Sequence, residues 1–523
     1  MNDGFRPVWL DGVPAERFPA LDGDRTADVA IIGAGITGLT AALLLRRAGR
    51  SVILLERHQV SRAATAHTSA HLTAVPDVPF RTLVSRFGER GAQEVVRACR
   101  QAIDSIETLC SELSAEAGFA RVPAFRWSES AGDRQELREE AETAARVGLH
   151  ARPVDRTPLP FDVAGAIRFD DQALFQPLRY TARLARAFVE AGGSLYEETP
   201  VESVDVEPDR TARISAAGHV VHADTVVHAT QTPVGRVISV QARLAPVTTY
   251  VCVARLATPA PWGLFWDSDD PYHYLRPLGP GSDRLVAGGC DHKTGQPRDG
   301  DAFVELEAWL RARFPVEAVE RRWSFGLYEP ADGLPFVGRL GDGPEYVAAG
   351  FAGVGLSFGT AAATLLCDEI AGRSSRLGEL LRPSRLKPLA SAAEVAREGA
   401  DNAWRLVRDR LARPGGGADD IGPGEGRLIE VDGHKAAAWR DRQGELHVLS
   451  PTCTHLGCIV HWNAAAESWD CPCHGGRYLP DGRVLYGPPP RGLERQPARA
   501  PGRRARTRQR PTPVREDGRE TQA

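Results

Sequence analysis

Four cysteines and two histidines fall within 22 residues near the C-terminus. They form Cys453-Thr-His455-Leu-Gly-Cys458 and, after twelve further residues, Cys471-Pro-Cys473-His474. A C-x-H pair and a C-x-x-H pair supply two thiolates and two imidazoles. That donor set suits a [2Fe-2S] centre with one iron on two cysteines and the other on two histidines. Two cysteines and two histidines also bind zinc. Zinc fingers space their pairs differently, however, and Cys458 and Cys473 would be left over. A second constellation stands near the N-terminus, where Gly33-Ala-Gly35-Ile-Thr-Gly38 is followed at Glu56 by an acid. Gly33 permits a tight turn, Gly35 lets backbone approach a pyrophosphate, and Gly38 lets a helix pack close to a sheet. Free N–H groups at that helix start attract phosphate, and Glu56 is placed to accept from ribose hydroxyls.

Each constellation needs elements to hold it. Residues 27–32 form an apolar run expected as a buried parallel strand. A helix over 33–48 and a strand over 51–56 complete a β-α-β unit. Helix is expected through 81–147 and over 174–192, then a strand at 194–197 and a hairpin-like region to residue 229. Residues 240–300 alternate apolar and polar, as an antiparallel sheet does. Further helices are expected over 303–314, 359–370 and 392–411. The stretch 412–426 is a Gly/Pro-rich linker. Residues 427–492 read as short strands with turns, an all-β module.

Residues 25–375 resemble the D-amino-acid oxidase-like (glycine oxidase/sarcosine oxidase) superfamily of FAD-dependent oxidoreductases. The resemblance rests on the β-α-β unit, on VVHAT at 226–230, on Trp323-Ser-Phe-Gly, on Asp332-Gly-Leu-Pro-Phe-Val-Gly338, and on Gly350-Phe-Ala-Gly-Val-Gly355. It implies FAD, with Gly353 and Gly355 bringing backbone close to the flavin ring. Gly33, Gly35, Gly38, Glu56, Arg57, Thr65, Thr68, Val201, Ala229 and Asp332 join the expected cofactor-binding set. His67, within Ala64-Thr-Ala-His-Thr-Ser-Ala-His-Leu-Thr73, has three readings: covalent attachment to FAD, a polar flavin contact, or a structural histidine.

Residues 425–492 resemble the Rieske family. The resemblance implies that Cys453 and Cys471 bind one iron and His455 and His474 the other. It also implies a Cys458–Cys473 disulfide bracing the cluster loops, and a shielding loop at Gly487-Pro-Pro-Pro490. Respiratory members carry Ser where this chain has Gly476, while Tyr478 matches their second hydrogen-bond donor. With fewer donors the expected potential lies below the top of the roughly −150 to +300 mV Rieske range. A Rieske oxygenase would need a downstream two-histidine, one-carboxylate iron site. No histidine follows His474.

The whole chain resembles bacterial FAD-dependent oxidoreductases with a C-terminal Rieske domain. The expected fold is α/β (α+β): a Rossmann-like FAD-binding domain and an antiparallel-sheet substrate domain interleaved over 25–375. A helix and linker follow over 376–424, then an all-β Rieske domain over 425–492 and a disordered basic tail over 493–523. The expected reaction takes a hydride from an amine or amino-acid-like substrate to flavin, giving an imine. Electrons then pass singly to the cluster and on to a carrier protein or quinone. Alternatives are the same chain run in reverse as a reductase, or an electron-transfer or redox-sensing protein without its own substrate. Arg276 could pair a substrate carboxylate or sit in a surface ion pair. His273, Tyr274, His292 and Lys293 are candidate pocket residues, whereas Trp323 and Tyr328 pack. No general base stands out.

Composition narrows the classes. Of 523 residues, 42% are hydrophobic and 25% charged, the profile of a folded globular chain. Length alone argues for two to four domains at roughly 100–200 residues each. The net charge of −4 argues against nucleic acid as a partner. Basic character comes from 61 arginines and 3 lysines. Seven of those arginines lie between Arg495 and Arg510 without an acid between them. The N-terminus shows no apolar signal region. The uncharged stretch 346–367 is long enough to span a membrane but is glycine-rich and reads as buried backbone. Cys99, Cys110, Cys252, Cys290 and Cys367 are scattered, as expected of buried thiols in a reducing cytoplasm.

Overall fold

The Arg25–Ile32 strand is the hub of the first sheet, paired in parallel with Val52–Leu55 on one side and His219–Gln231 on the other. The order runs Phe336–Arg339, Glu345–Ala349, His219–Gln231, Arg25–Ile32, Val52–Leu55, Ser194–Tyr196, with only the first strand antiparallel on that path. A strand buried on both faces must be apolar, and Val29–Ile32 is, while Asp28 accepts from the Ser51 N–H at 2.7 Å. The helices Ile36–Arg47 and Gly355–Ile370 pack together. Gly33 turns the chain at φ 101°, where a side chain would strain the backbone. A Cβ on Gly38 would lie 1.9 Å from the Gly33 carbonyl oxygen, so only glycine lets the helix start this close to the strand.

The second sheet has nine strands. Its main path runs Val316–Pro330, Leu244–Leu256, Arg284–Lys293, Tyr274–Pro277, Leu264–Asp267, Ala120–Ser128, Gly165–Leu174 and His71–Leu72. It is antiparallel except where Leu264–Asp267 runs parallel to Ala120–Ser128. The continuous helix expected over 81–147 is instead Phe80–Glu112, the strand Ala120–Ser128, and the helix Arg134–Arg146. The ARVPAFRWS segment buries Phe125 and Trp127 against Phe265, a tertiary contact that overrides the polar flanks. The helix expected from 174 starts at Pro177, because Leu174 still belongs to the strand before it.

The C-terminal part is two small antiparallel sheets. One is Gly426–Val431, His434–Arg440 and Leu446–Leu449; the other is His461–Asn463, Ser468–Asp470, Arg477–Tyr478 and Val484–Tyr486. The computed structural model describes residues 6–13, 16–235, 237–296, 298, 300–385, 408–410, 412 and 415–496. The helix expected over 392–411 lies outside these apart from 408–410, and the basic tail lies outside them beyond Gln496. Among the described residues no helix is long and apolar enough to cross a membrane. The uncharged 346–367 stretch is a strand end, a glycine turn and most of the Gly355–Ile370 helix.

Candidate functional site

A cavity of about 490 Å3 runs from the Gly33–Gly35 turn to the Gly353–Gly355 turn. Its walls include Glu56, Arg57, Thr65, His67, Thr68, Val201 and Ala229. Glu56 is buried and holds the turn itself: the Ala34 N–H donates to its Oε2 at 2.8 Å and the His58 N–H to its Oε1 at 3.0 Å. Thr65 Oγ1 accepts from the Ile36 N–H at 3.2 Å, at the start of the helix. Arg57 is an enclosed cation beside this turn, and burial draws its pKa down. His67 donates from Nδ1 to the Ala63 carbonyl at 2.9 Å, which leaves Nε2 as its open nitrogen. Burial draws its pKa down. Glycine turns, an enclosed arginine and a ring of hydroxyls fit a dinucleotide with a flavin end.

Two residues of the expected FAD set do not reach the cavity. Gly38 lies beneath the helix start, where its lack of a side chain serves packing. Asp332 pairs with Arg385 at 2.7 and 2.8 Å, both side chains buried, and caps its own turn through the Leu334 N–H. It closes the Asp332–Gly338 segment and is spent on that.

Arg276 is fully buried and donates to four main-chain carbonyls: Ala70 at 2.6 Å, Phe175 at 3.3 Å, Pro277 at 3.0 Å and Leu278 at 3.1 Å. Its guanidinium also lies over Trp9. It therefore pairs neither a substrate nor a surface acid. His273 hydrogen-bonds Asp267 at 2.8 Å and stacks on Trp309. His292 stacks on Tyr250, and burial lowers its pKa to about 4. Lys293 sits opposite Val247 at the strand end. None of the four lines the cavity. His273 lies just before the strand Tyr274–Pro277 and turns to Asp267 and Trp309, while Tyr272 and Tyr274 face the cavity. Sequence reasoning missed Asp77, Arg126, Thr249, Trp266 and Glu329, which do line it. They come from five separate segments and carry no local signal.

The cysteine-histidine constellation is brought together. Cys453 and Cys471 are buried, and the rings of His455 and His474 lie 5.0 Å apart at 85°. His474 Nδ1 is buried with no hydrogen-bond partner, as a nitrogen reserved for a metal would be. Tyr478 donates to Cys453 Sγ at 3.1 Å. Cys458 and Cys473 form a disulfide. The bonded pair has no thiolate to offer, which leaves Cys453 and Cys471 with two histidines, a set that fits a [2Fe-2S] cluster and not a four-cysteine site. The glycine at 476 has a steric reason: a Cβ there would come 2.5 Å from Pro489 Cγ, so the proline loop occupies the space of a serine side chain.

The family models agree with both halves. Residues 28–369 match the family FAD dependent oxidoreductase, and residues 415–497 match the Rieske [2Fe-2S] domain. The chain belongs to the FAD dependent oxidoreductase family and carries a Rieske domain. It is 31% identical over 488 residues to the Rieske 2Fe-2S iron-sulfur protein YhfW of Bacillus subtilis (strain 168), covering 92% of this chain and 95% of that one. Over 79 residues it is 40% identical to the cytochrome b6-f complex iron-sulfur subunit of Chlorobaculum tepidum, covering 15% of this chain and 43% of the subunit. The glycine oxidase of Geobacillus kaustophilus superimposes with a TM-score of 0.59 at 19% identity, covering 69% of this chain and 99% of that one. FAD and a [2Fe-2S] cluster are the cofactors of this FAD-dependent oxidoreductase.

The Rieske domain is seated on the oxidoreductase. His455 Nε2 lies 3.2 Å from the Gly235 carbonyl. Tyr328 donates to the carbonyls of His474 and Gly475, both at 3.2 Å. The buried Arg477–Asp470 pair reaches across to Ser324 at 3.1 Å. Tyr486 packs on Gly326, where any Cβ would overlap the phenol. Leu485, Tyr486 and Gly487 thereby form part of the cavity wall.

Proposed function

We propose that the chain dehydrogenates a small amine or amino acid at FAD and hands the electrons singly to its own cluster, then to an external carrier. The observation that carries this reading is the shared wall: residues 485–487 of the Rieske domain line the same cavity as the dinucleotide turn. Bound FAD takes a hydride and the cluster takes single electrons, so together they split a two-electron oxidation into one-electron steps.

The residues of the chain bind and orient. Gly33, Gly35, Glu56, Arg57, Thr65, Thr68, Val201, Ala229, Gly353 and Gly355 hold FAD, with His67 as a polar contact through Nε2. Cys453, Cys471, His455 and His474 hold the cluster. Arg126 takes the role first expected of Arg276. It lines the cavity, where its Nε donates to Ser268 Oγ at 3.2 Å. A guanidinium so placed suits a substrate carboxylate. Tyr328 links the two cofactor sites: its carbonyl accepts from the Ala352 N–H on the cavity wall at 3.1 Å, and its hydroxyl donates to His474.

The test is an anaerobic mixture of the holoprotein with secondary amines, amino acids and NAD(P)H. Flavin bleaching and the Rieske EPR signal are followed together. An amine or amino acid that bleaches the flavin and then raises the EPR signal supports the reading. Reduction by NAD(P)H alone would replace it with a reductase running the other way.

A further inference from the structure

Oxidation of a protonated amine requires somewhere for the ammonium proton to go, and none of the histidines expected near the substrate lines the cavity. A buried carboxyl does stand behind one wall. The ladder between Leu244–Leu256 and Arg284–Lys293 slips by one residue between Thr248 and Tyr250. Thr248 faces His292 and Tyr250 faces Gly289, so Cys290 and Asp291 together oppose Thr249. Cys290 takes φ 58°, as the extra residue of a β-bulge can. The bulge re-aims the side chain that follows it. Asp291 is turned toward Thr249, and its Oδ1 is buried without a hydrogen-bond partner. Thr249 Oγ1 in turn lies 2.9 Å from Tyr274 Oη, with either able to donate. Thr249 and Tyr274 both line the cavity.

We propose that Asp291 accepts the substrate's ammonium proton, relayed through Tyr274 and Thr249. The proposal rests on the amine-dehydrogenase reading and deepens it by placing the proton. One N–H bond of the ammonium breaks and its proton goes to Tyr274 Oη. The Tyr274 proton moves to Thr249 Oγ1, and the Thr249 proton to the Asp291 carboxylate. The α C–H bond then breaks, its hydride carries two electrons to oxidised flavin, and C=N forms. The substrate is oxidised to an iminium and the flavin is reduced.

The groups around Asp291 favour this use. Burial and the nearby Asp77 carboxylate raise its pKa to about 7, against the pull of Thr249 and Arg298. Arg298 is already paired with Glu305. Burial pushes the pKa values of the neighbouring Tyr272, Tyr274 and Cys290 upward, and Asp291 raises each further. His71, whose ring meets Tyr274 edge-on, has its pKa lowered to about 3 by burial and by Arg276. Tyr274 cannot hold the negative charge itself, which suits a relay. Tyr274 is the group that touches substrate; Asp291 acts through it as a positioning residue. Its carboxyl is poised to take a proton and release it near neutrality, where general-base work is most effective.

Infrared spectroscopy of the holoprotein tests the carboxyl without turnover. A protonated-carboxyl band should be present in mild acid, disappear with a midpoint near pH 7, and be missing in Asp291→Asn. Stopped-flow flavin reduction by the amine found above tests the role. The parent should show a rising limb near the same midpoint. Asp291→Asn should lose that limb, slow at neutral pH by roughly 100-fold, and recover at alkaline pH, where the amine deprotonates itself. Tyr274→Phe and Thr249→Val should displace the limb while keeping the infrared band. A band untouched by Asp291→Asn, or a limb that stays in place, overturns the assignment. If no amine bleaches the flavin, the functional reading falls and this role with it; a reacting amine with an unmoved limb removes only the role of Asp291.

Discussion

Arg276 donates to the carbonyls of Ala70, Phe175, Pro277 and Leu278, and alanine in its place strands all four. Each abandoned buried polar group costs about 1–3 kcal/mol. Arg276→Ala should therefore lower Tm sharply and cut the yield of folded protein. Its effect on KM should be no larger than its effect on kcat. Arg126→Ala should do the reverse, raising KM for a carboxylate-bearing substrate at little cost in Tm. Arginine at 276 and arginine at 126 look alike in the sequence; only the company each keeps separates them. At the cluster, Tyr478→Phe removes the O–H···S hydrogen bond at 3.1 Å. A hydrogen bond of about 1 kcal/mol corresponds to roughly 40 mV for a one-electron couple. Redox titration of the variant should show the potential falling by about that much, with the EPR line shape retained.

Elements decide what the side chains meet. The Cys453–Cys458 and Cys471–His474 loops carry their ligands within six and four residues, so loop spacing alone brings the donors close. The glycine turn at 33–38 is equally local, since strand, turn and helix follow one another in the chain. The substrate side is different. Tyr274, Thr249, Arg126, Asp77 and Glu329 come from strands and loops spread over 250 residues, and their facing depends on sheet register. The bulge opposite Thr249 illustrates this: one extra residue sends Asp291 toward Thr249 and His292 against Tyr250. A similar dependence governs the Val316–Pro330 strand, where Tyr328 bridges the two domains. Tyr328→Phe should leave flavin reduction by substrate unchanged. It should slow the following appearance of the cluster signal, as read by freeze-quench EPR after a single anaerobic turnover.

For the whole molecule, the two domains form one cavity wall. Residues 485–487 close a space that the oxidoreductase strands leave open. His455, Gly475, Arg477 and Tyr486 anchor that closure against Gly235, Pro246, Ser324 and Gly326. A chain truncated before residue 415 should consequently release FAD more readily, measured as free flavin after gel filtration, and expose apolar surface that the full chain covers. If the truncated protein keeps its flavin as firmly as the full chain, the Rieske domain is an attachment and not part of the site.

Both cofactor modules are legible in the residues alone. The glycine turn, the acid after the second strand and the cysteine-histidine loops are short-range patterns whose geometry follows from adjacent residues. The sequence also placed the disulfide pair, through resemblance. The packed fold sets which arginine faces the cavity, spends Asp332 on Arg385, stands Asp291 behind Thr249, and completes the wall with the Rieske domain. Those facts depend on strand register and on the docking of distant surfaces. A shift of one residue in a strand reverses every side chain along it, and no local pattern records which register the packed sheet adopts.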